Sequence, residues 1–171
     1  WVDGKVGKAL NFDGADDYVE VGDPPILNIT GPLSLIAWVK LKQLYPSYGV
    51  FVVGKSGQYS IQHPYSIGYY NNRFFGVIGG FDDTQIGPGY TGPQNATTTG
   101  IYYHVALTYD LVTAKFFVNT NLMESISYNK TLETTTIPFS IGARYLYSPS
   151  QPGAAPINAE IDDVRVYNRA L

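Results

Sequence analysis

Short apolar runs of period two, separated by glycine, proline and asparagine, fill this chain and predict β-strands. In Leu33-Ser34-Leu35-Ile36-Ala37-Trp38-Val39-Lys40-Leu41 every odd position is apolar, while the even positions are mixed. That pattern suits a central strand covered on both faces. Ile101, Tyr103, Val105, Leu107 and Tyr109 share one face of the next clear strand, with Tyr102, His104, Ala106 and Thr108 opposite. Asp110-Leu111-Val112-Thr113 then reads as a turn, Lys115–Asn119 as the returning strand, and Asn119-Thr120-Asn121 as another tight turn. Further strands are expected at Leu10–Phe12, Tyr18–Val21, Val50–Val53, Tyr59–Ile61, Phe74–Ile78, Met123–Tyr128, Phe139–Ile141 and Ile161–Tyr167. No segment carries a helical stripe; Leu122–Leu132 is interrupted by Ser125, Ser127 and Thr131. No fixed-period repeat is present. The expected fold is all-β, an antiparallel β-sandwich of the jelly-roll type.

Composition narrows the function. The 171 residues fit one domain, and residues 1–171 are read as a single module excised from a longer chain, because Trp1 opens it without a signal-like segment. The net charge of −3 comes from 11 Lys+Arg against 14 Asp+Glu, without a basic block, which disfavours nucleic acid as a partner. No apolar run reaches the ~20 residues of a membrane-spanning helix, so membrane insertion is not expected. Without cysteine there is no disulfide, thiol nucleophile or thiolate zinc site. Two stretches, 79–99 and 148–156, lack period and read as loops.

The ordered segments resemble a known family. Gly7-Lys8-Ala9-Leu10-Asn11-Phe12-Asp13-Gly14 followed by Asp16-Asp17-Tyr18-Val19-Glu20-Val21 resembles the opening of laminin-G-like, concanavalin A-like jelly-roll domains. Leu33–Val39 is similar to the family's next strand, and Tyr103–Asp110 with Phe117-Val118-Asn119 to its central hairpin. Phe139–Arg144 and Ile161–Leu171 resemble its last two strands. The resemblance runs end to end and implies a concanavalin A-like jelly roll. That fold hosts lectins, carbohydrate-binding modules, adhesive domains and glycosidases.

Catalysis is not expected. Glycan hydrolases of this fold carry Glu-x-Asp-x-x-Glu, since one carboxyl protonates the leaving oxygen while the other attacks. In Glu160-Ile161-Asp162-Asp163-Val164-Arg165 the second glutamate position is Arg165. His104 reads as a packed strand histidine and His63, before Pro64, as an exposed loop residue; neither accompanies a Gly-x-Ser-x-Gly elbow.

Calcium is the one cofactor considered. The resemblance implies Asp13, Asp16, Asp17 and Asp162 as structural calcium ligands; the alternative is an acidic turn capped by its own backbone N–H groups. Fifteen tyrosines, many in expected loops, offer ring faces for sugar C–H groups. The candidate ligand residues are Tyr69, Tyr70, Asn72, Arg73, Asp82, Asp83, Tyr145 and Tyr147. Sequons at Asn28, Asn95 and Asn129 mark candidate glycosylation sites and fit secretion. The reading is a lectin-like, extracellular or cell- or virion-surface module that binds a glycan or a surface protein beside other domains of its parent chain. A structural or adhesive domain of a surface layer, filament or virion is the rival, and a degraded glycosidase the third reading.

Overall fold

The computed structural model describes residues 1–45, 47–57, 63–79, 84–86, 97–144 and 155–171. Thirteen strands occur among them: β1 (Val2–Asp3), β2 (Lys8–Asp13), β3 (Val19–Gly22), β4 (Leu33–Leu41), β5 (Val50–Lys55), β6 (Tyr65–Tyr70), β7 (Arg73–Ile78), β8 (Thr84–Ile86), β9 (Tyr102–Tyr109), β10 (Thr113–Val118), β11 (Asn121–Ser127), β12 (Phe139–Ile141) and β13 (Asn158–Tyr167). A 3₁₀ turn at Pro25–Leu27 is the only helical element described.

The strands form two antiparallel sheets. The larger runs β1-β2-β13-β4-β9-β10-β11 and the smaller β3-β12-β5-β6-β7-β8. The two last strands insert between early ones, β13 between β2 and β4, and β12 between β3 and β5. A jelly roll built this way closes with chain ends that are distant in sequence.

The sequence alternation sets what each sheet buries. Leu33, Leu35, Ala37, Val39 and Leu41 of β4 are completely buried, as the odd-position pattern predicts. They pack with Val105, Leu107 and Tyr109 of β9 against Val50, Val53, Tyr65, Ile67, Tyr69 and Phe74 of the facing sheet. Each fully buried Leu or Val contributes ~1.5–3 kcal/mol, so this inter-sheet layer holds the sandwich together.

The main departure from the sequence reading is β6. Tyr65–Tyr70 is a strand, not a loop, and its partner β7 begins at Arg73. Asn71 and Asn72 join them with φ of 49° and 59°, the left-handed pair that a two-residue hairpin turn requires and asparagine tolerates. A strand also occupies Thr84–Ile86, inside the expected long loop. The strand expected at Tyr59–Ile61 lies outside the described residues.

Candidate functional site

The smaller sheet carries a second apolar layer, separate from the core. Along β6 and β7, Tyr65, Ile67, Tyr69, Phe74 and Ile78 join the inter-sheet core, while Tyr70, Phe75 and Val77 group with Phe51 on the outer face. The Phe75 ring fills the space above Gly68, where an added Cβ would stand 2.8 Å from Phe75 Cε1. Phe51 meets Phe75 edge-on at 5.9 Å. The His63 imidazole stacks on Phe51, with ring centres 5.9 Å apart and planes 13° from parallel. The Arg144 guanidinium also stands 5.9 Å from the Phe51 ring.

His63 is therefore buried, which corrects its reading as an exposed loop residue. Its Nδ1 lies 2.7 Å from Ser56 Oγ. Desolvation, aided by the Arg144 charge, pushes the imidazole down to about 4. A histidine so reluctant to accept a proton is a poor base for Ser56 at neutral pH. His104 is half-buried in β9, edge-on to Trp38 at 4.9 Å, as a packed strand histidine should be.

The expected ligand residues divide. Tyr69 is fully buried between Tyr45 and Phe74, and its hydroxyl bonds Thr97, so it belongs to the core and not to the outer face. The cause is strand alternation, which turns adjacent tyrosines to opposite faces. Tyr70 is half-buried on the outer face and pairs directly with Arg73 across the hairpin. Asn72 sits in the turn, where its backbone carbonyl accepts hydrogen bonds from Thr97 N at 3.2 Å and Thr97 Oγ1 at 3.0 Å. Its side-chain Oδ1 is buried and finds no hydrogen-bond partner among the described residues. Asp82, Asp83, Tyr145 and Tyr147 lie outside the described residues.

The acids of the 160–165 segment are each engaged. Glu160 lies 2.5 Å from Lys40 Nζ and 3.5 Å from Lys42 Nζ, and accepts the Tyr102 hydroxyl at 2.9 Å. Burial pushes its carboxyl up, but the Lys40 and Tyr102 hydrogen bonds and the two lysine charges outweigh it and hold it below its ordinary range. Asp163 pairs with Arg165, two residues along the chain, at 2.8 Å.

Asp162 is the clearest correction among the metal candidates. Antiparallel pairing sets Asn158 opposite Asp13, which leaves Asp162 four residues along β13, ~13 Å away. Its carboxylate is buried and accepts Val6 N–H at 2.7 Å, tying down the N-terminal turn. Asp13, Asp16 and Asp17 do come together: their carboxylate oxygens lie within 4.8 Å of one another, and all three residues are exposed. Oxygens that close can share a cation at calcium's ~2.3–2.6 Å bond length, so these three residues fit such an ion. Two of them also cap the turn, Asp13 Oδ1 accepting Ala15 N–H at 2.8 Å and Asp17 Oδ2 accepting Asp13 N–H at 3.1 Å.

Of the sequons, Asn129 is exposed and Asn95 lies outside the described residues. Asn28 is half-buried, its amide held between Asp23 and Lys55.

Solved structures share this architecture. The binding domain of Paraclostridial Mosquitocidal Protein 1 superposes with a TM-score of 0.73 at 14% identity, over 99% of this chain and 42% of that one. Domain 4 of an extracellular arabinanase from Geobacillus stearothermophilus, solved with arabinotriose, gives 0.67 at 22% identity, over 99% of this chain and 75% of that one. Trypanosoma rangeli sialidase, solved with sialic acid, gives 0.64 at 18% identity, over 98% of this chain but only 26% of that one. The chain thus spans less than half of the toxin domain and about a quarter of the sialidase. No curated protein sequence matches it significantly. A laminin-G-type family model, described as the concanavalin A-like lectin/glucanases superfamily, matches residues 13–171. With that match over nearly the whole sequence and two jelly-roll sheets beneath it, the chain belongs to the concanavalin A-like lectin/glucanase superfamily, in its laminin-G-type branch.

Proposed function

We propose that the chain is a non-catalytic, extracellular carbohydrate-binding module that uses the outer face of its smaller sheet at the β6–β7 hairpin. One observation carries this: Asn72, whose buried Oδ1 has no hydrogen-bond partner among the described residues, sits in the turn between half-buried Tyr70 and buried Arg73. A sugar needs an aromatic face for its C–H groups and polar groups for its hydroxyls; Tyr70, the partly exposed ring of the outer cluster, supplies the first, and Asn72 and Arg73 follow it in the hairpin. The arabinotriose complex of the arabinanase domain supports the ligand class. Hydrolysis is disfavoured because Glu160 is spent on two lysines and no second glutamate accompanies it. Calcium held by Asp13, Asp16 and Asp17 would stabilise the first turn without touching the ligand.

A glycan array run in calcium and again in chelator tests the proposal. Selective binding to one glycan class in both buffers is expected, with a lower melting temperature in chelator. Silence across the array overturns the carbohydrate reading in favour of an adhesive or structural domain. An unchanged melting temperature in chelator overturns the calcium.

A further inference from the structure

Away from the glycan face, a lysine is buried at the end of β5. Lys55 is 1% exposed, and its Nζ lies 2.5 Å from Asp23 Oδ1, 2.5 Å from Asn28 Oδ1 and 3.0 Å from the Thr135 carbonyl. The same Asp23 oxygen accepts Asn28 Nδ2–H at 2.9 Å. One carboxylate oxygen therefore touches both an amine and the nitrogen of a carboxamide, and that amine touches the carboxamide oxygen. A C=O bond is ~1.2 Å, so Asn28 Cγ lies within ~3.7 Å of Lys55 Nζ, close to the ~3–3.5 Å of a near-attack geometry. Phe139 and Tyr65 stand opposite Lys55 on the neighbouring strands. The Tyr65 hydroxyl also donates to the Leu27 carbonyl at 2.7 Å, which fixes the backbone beside Asn28.

We propose that Lys55 and Asn28 are joined by an intramolecular isopeptide bond that the fold itself forms, with Asp23 as the proton carrier. At rest the pair is ionic, since the Lys55 hydrogen bond holds Asp23 below its ordinary range against a smaller opposing effect of burial. The reaction begins when one proton passes from Nζ to Asp23 along their hydrogen bond. The freed lone pair of Nζ attacks Asn28 Cγ, and the C=O π pair moves onto Oδ1. Asp23 hands its proton to Nδ2. The Cγ–Nδ2 bond then breaks with its electrons on nitrogen as the Oδ1 pair restores the C=O bond, and the remaining Nζ–H proton passes through Asp23 to the released ammonia. The products are a secondary amide, ammonium and the regenerated Asp23 carboxylate; nothing is oxidised or reduced. The Asp23 side chain keeps 28% of its exposure, which gives the ammonium a way out.

The bond would cross-link β5 to the segment after β3, across 27 residues of sequence. It also competes with the Asn28 sequon, because a glycan needs the Asn28 Nδ2 that the cross-link expels.

The test is the intact mass of the folded chain made in a bacterial cytosol, where N-glycosylation is absent. Ammonia loss predicts a mass about 17 Da below that of the sequence, and a branched peptide joining Asn28 to Lys55 by tandem mass spectrometry. Asp23→Ala and Lys55→Arg should each restore the full sequence mass. Full sequence mass in the folded wild type overturns the proposal, whatever the variants do. So does a 17 Da loss that maps anywhere other than a Lys55–Asn28 link.

Discussion

Adjacent tyrosines 69 and 70 should behave as opposites under mutation. Tyr69 is fully buried, meeting Phe74 at 5.0 Å and Tyr45 at 6.1 Å between ring centres. Truncating it to alanine would cost ~3–5 kcal/mol, a large share of the ~5–15 kcal/mol a domain has. Tyr69→Phe is the informative change, because it keeps both ring contacts and removes only the hydrogen bond to Thr97. Thr97 Oγ1 still donates to the Asn72 carbonyl, so the loss is one neutral hydrogen bond, ~1 kcal/mol. In a domain of this size that lowers the melting temperature by ~2–4 °C. Tyr70 is half-buried against Phe51, Phe75 and Val77, and Tyr70→Ala should cost ~1–2 kcal/mol and leave the fold intact. Urea unfolding and titration of the array-selected glycan, run on both variants, separate the roles. Tyr69→Phe should bind like wild type, while Tyr70→Ala should weaken binding at least about tenfold, which is ~1.4 kcal/mol. A Tyr69→Phe protein of nearly wild-type stability that no longer binds glycan would refute the assignment of the two faces, as would full binding by Tyr70→Ala.

Two further outcomes follow from buried groups. The folded-state value of His63, about 4, lies below its ordinary 6.5, so the unfolded chain takes up the proton first and stability falls as pH drops through that window. The loss should approach ~3 kcal/mol by pH 4 in urea midpoints, and His63→Phe should remove most of this slope; an equal slope in the variant would contradict it. Gly54 has φ +135° in the middle of its sheet, and a Cβ there would stand 2.5 Å from Ser66 Cα and from the Tyr65 carbonyl oxygen. Gly54→Ala should therefore cost more than ~3 kcal/mol by urea denaturation, and a cost below ~1 kcal/mol would show that β5 and β6 can separate freely.

Much of the candidate site was hidden in a strand that reads like a loop. Tyr65-Ser66-Ile67-Gly68-Tyr69-Tyr70 alternates correctly, but Gly68 and the preceding Pro64 look like turn signals. The pair Asn71-Asn72 directly before the Arg73–Ile78 run was the available clue to a hairpin, and it would have sent Tyr69 inward. Gly68 is there for a tertiary reason that no local pattern carries, namely the Phe75 ring lying across it.

The sequence by itself determined the sandwich. Period-two alternation depends only on each strand having one face toward a core, so β4, β9, β10 and β12 could be read without knowing their neighbours. It also determined the absence of a second glutamate near Glu160. Tertiary structure alone decided which distant residues meet. Register, not composition, parted Asp162 from Asp13, Asp16 and Asp17 by fixing Asn158 opposite Asp13. Likewise Lys55, Asp23 and Asn28 carry no spacing that would announce them, because they come from segments on either side of β4, and only the closing of the smaller sheet buries the amine against the amide.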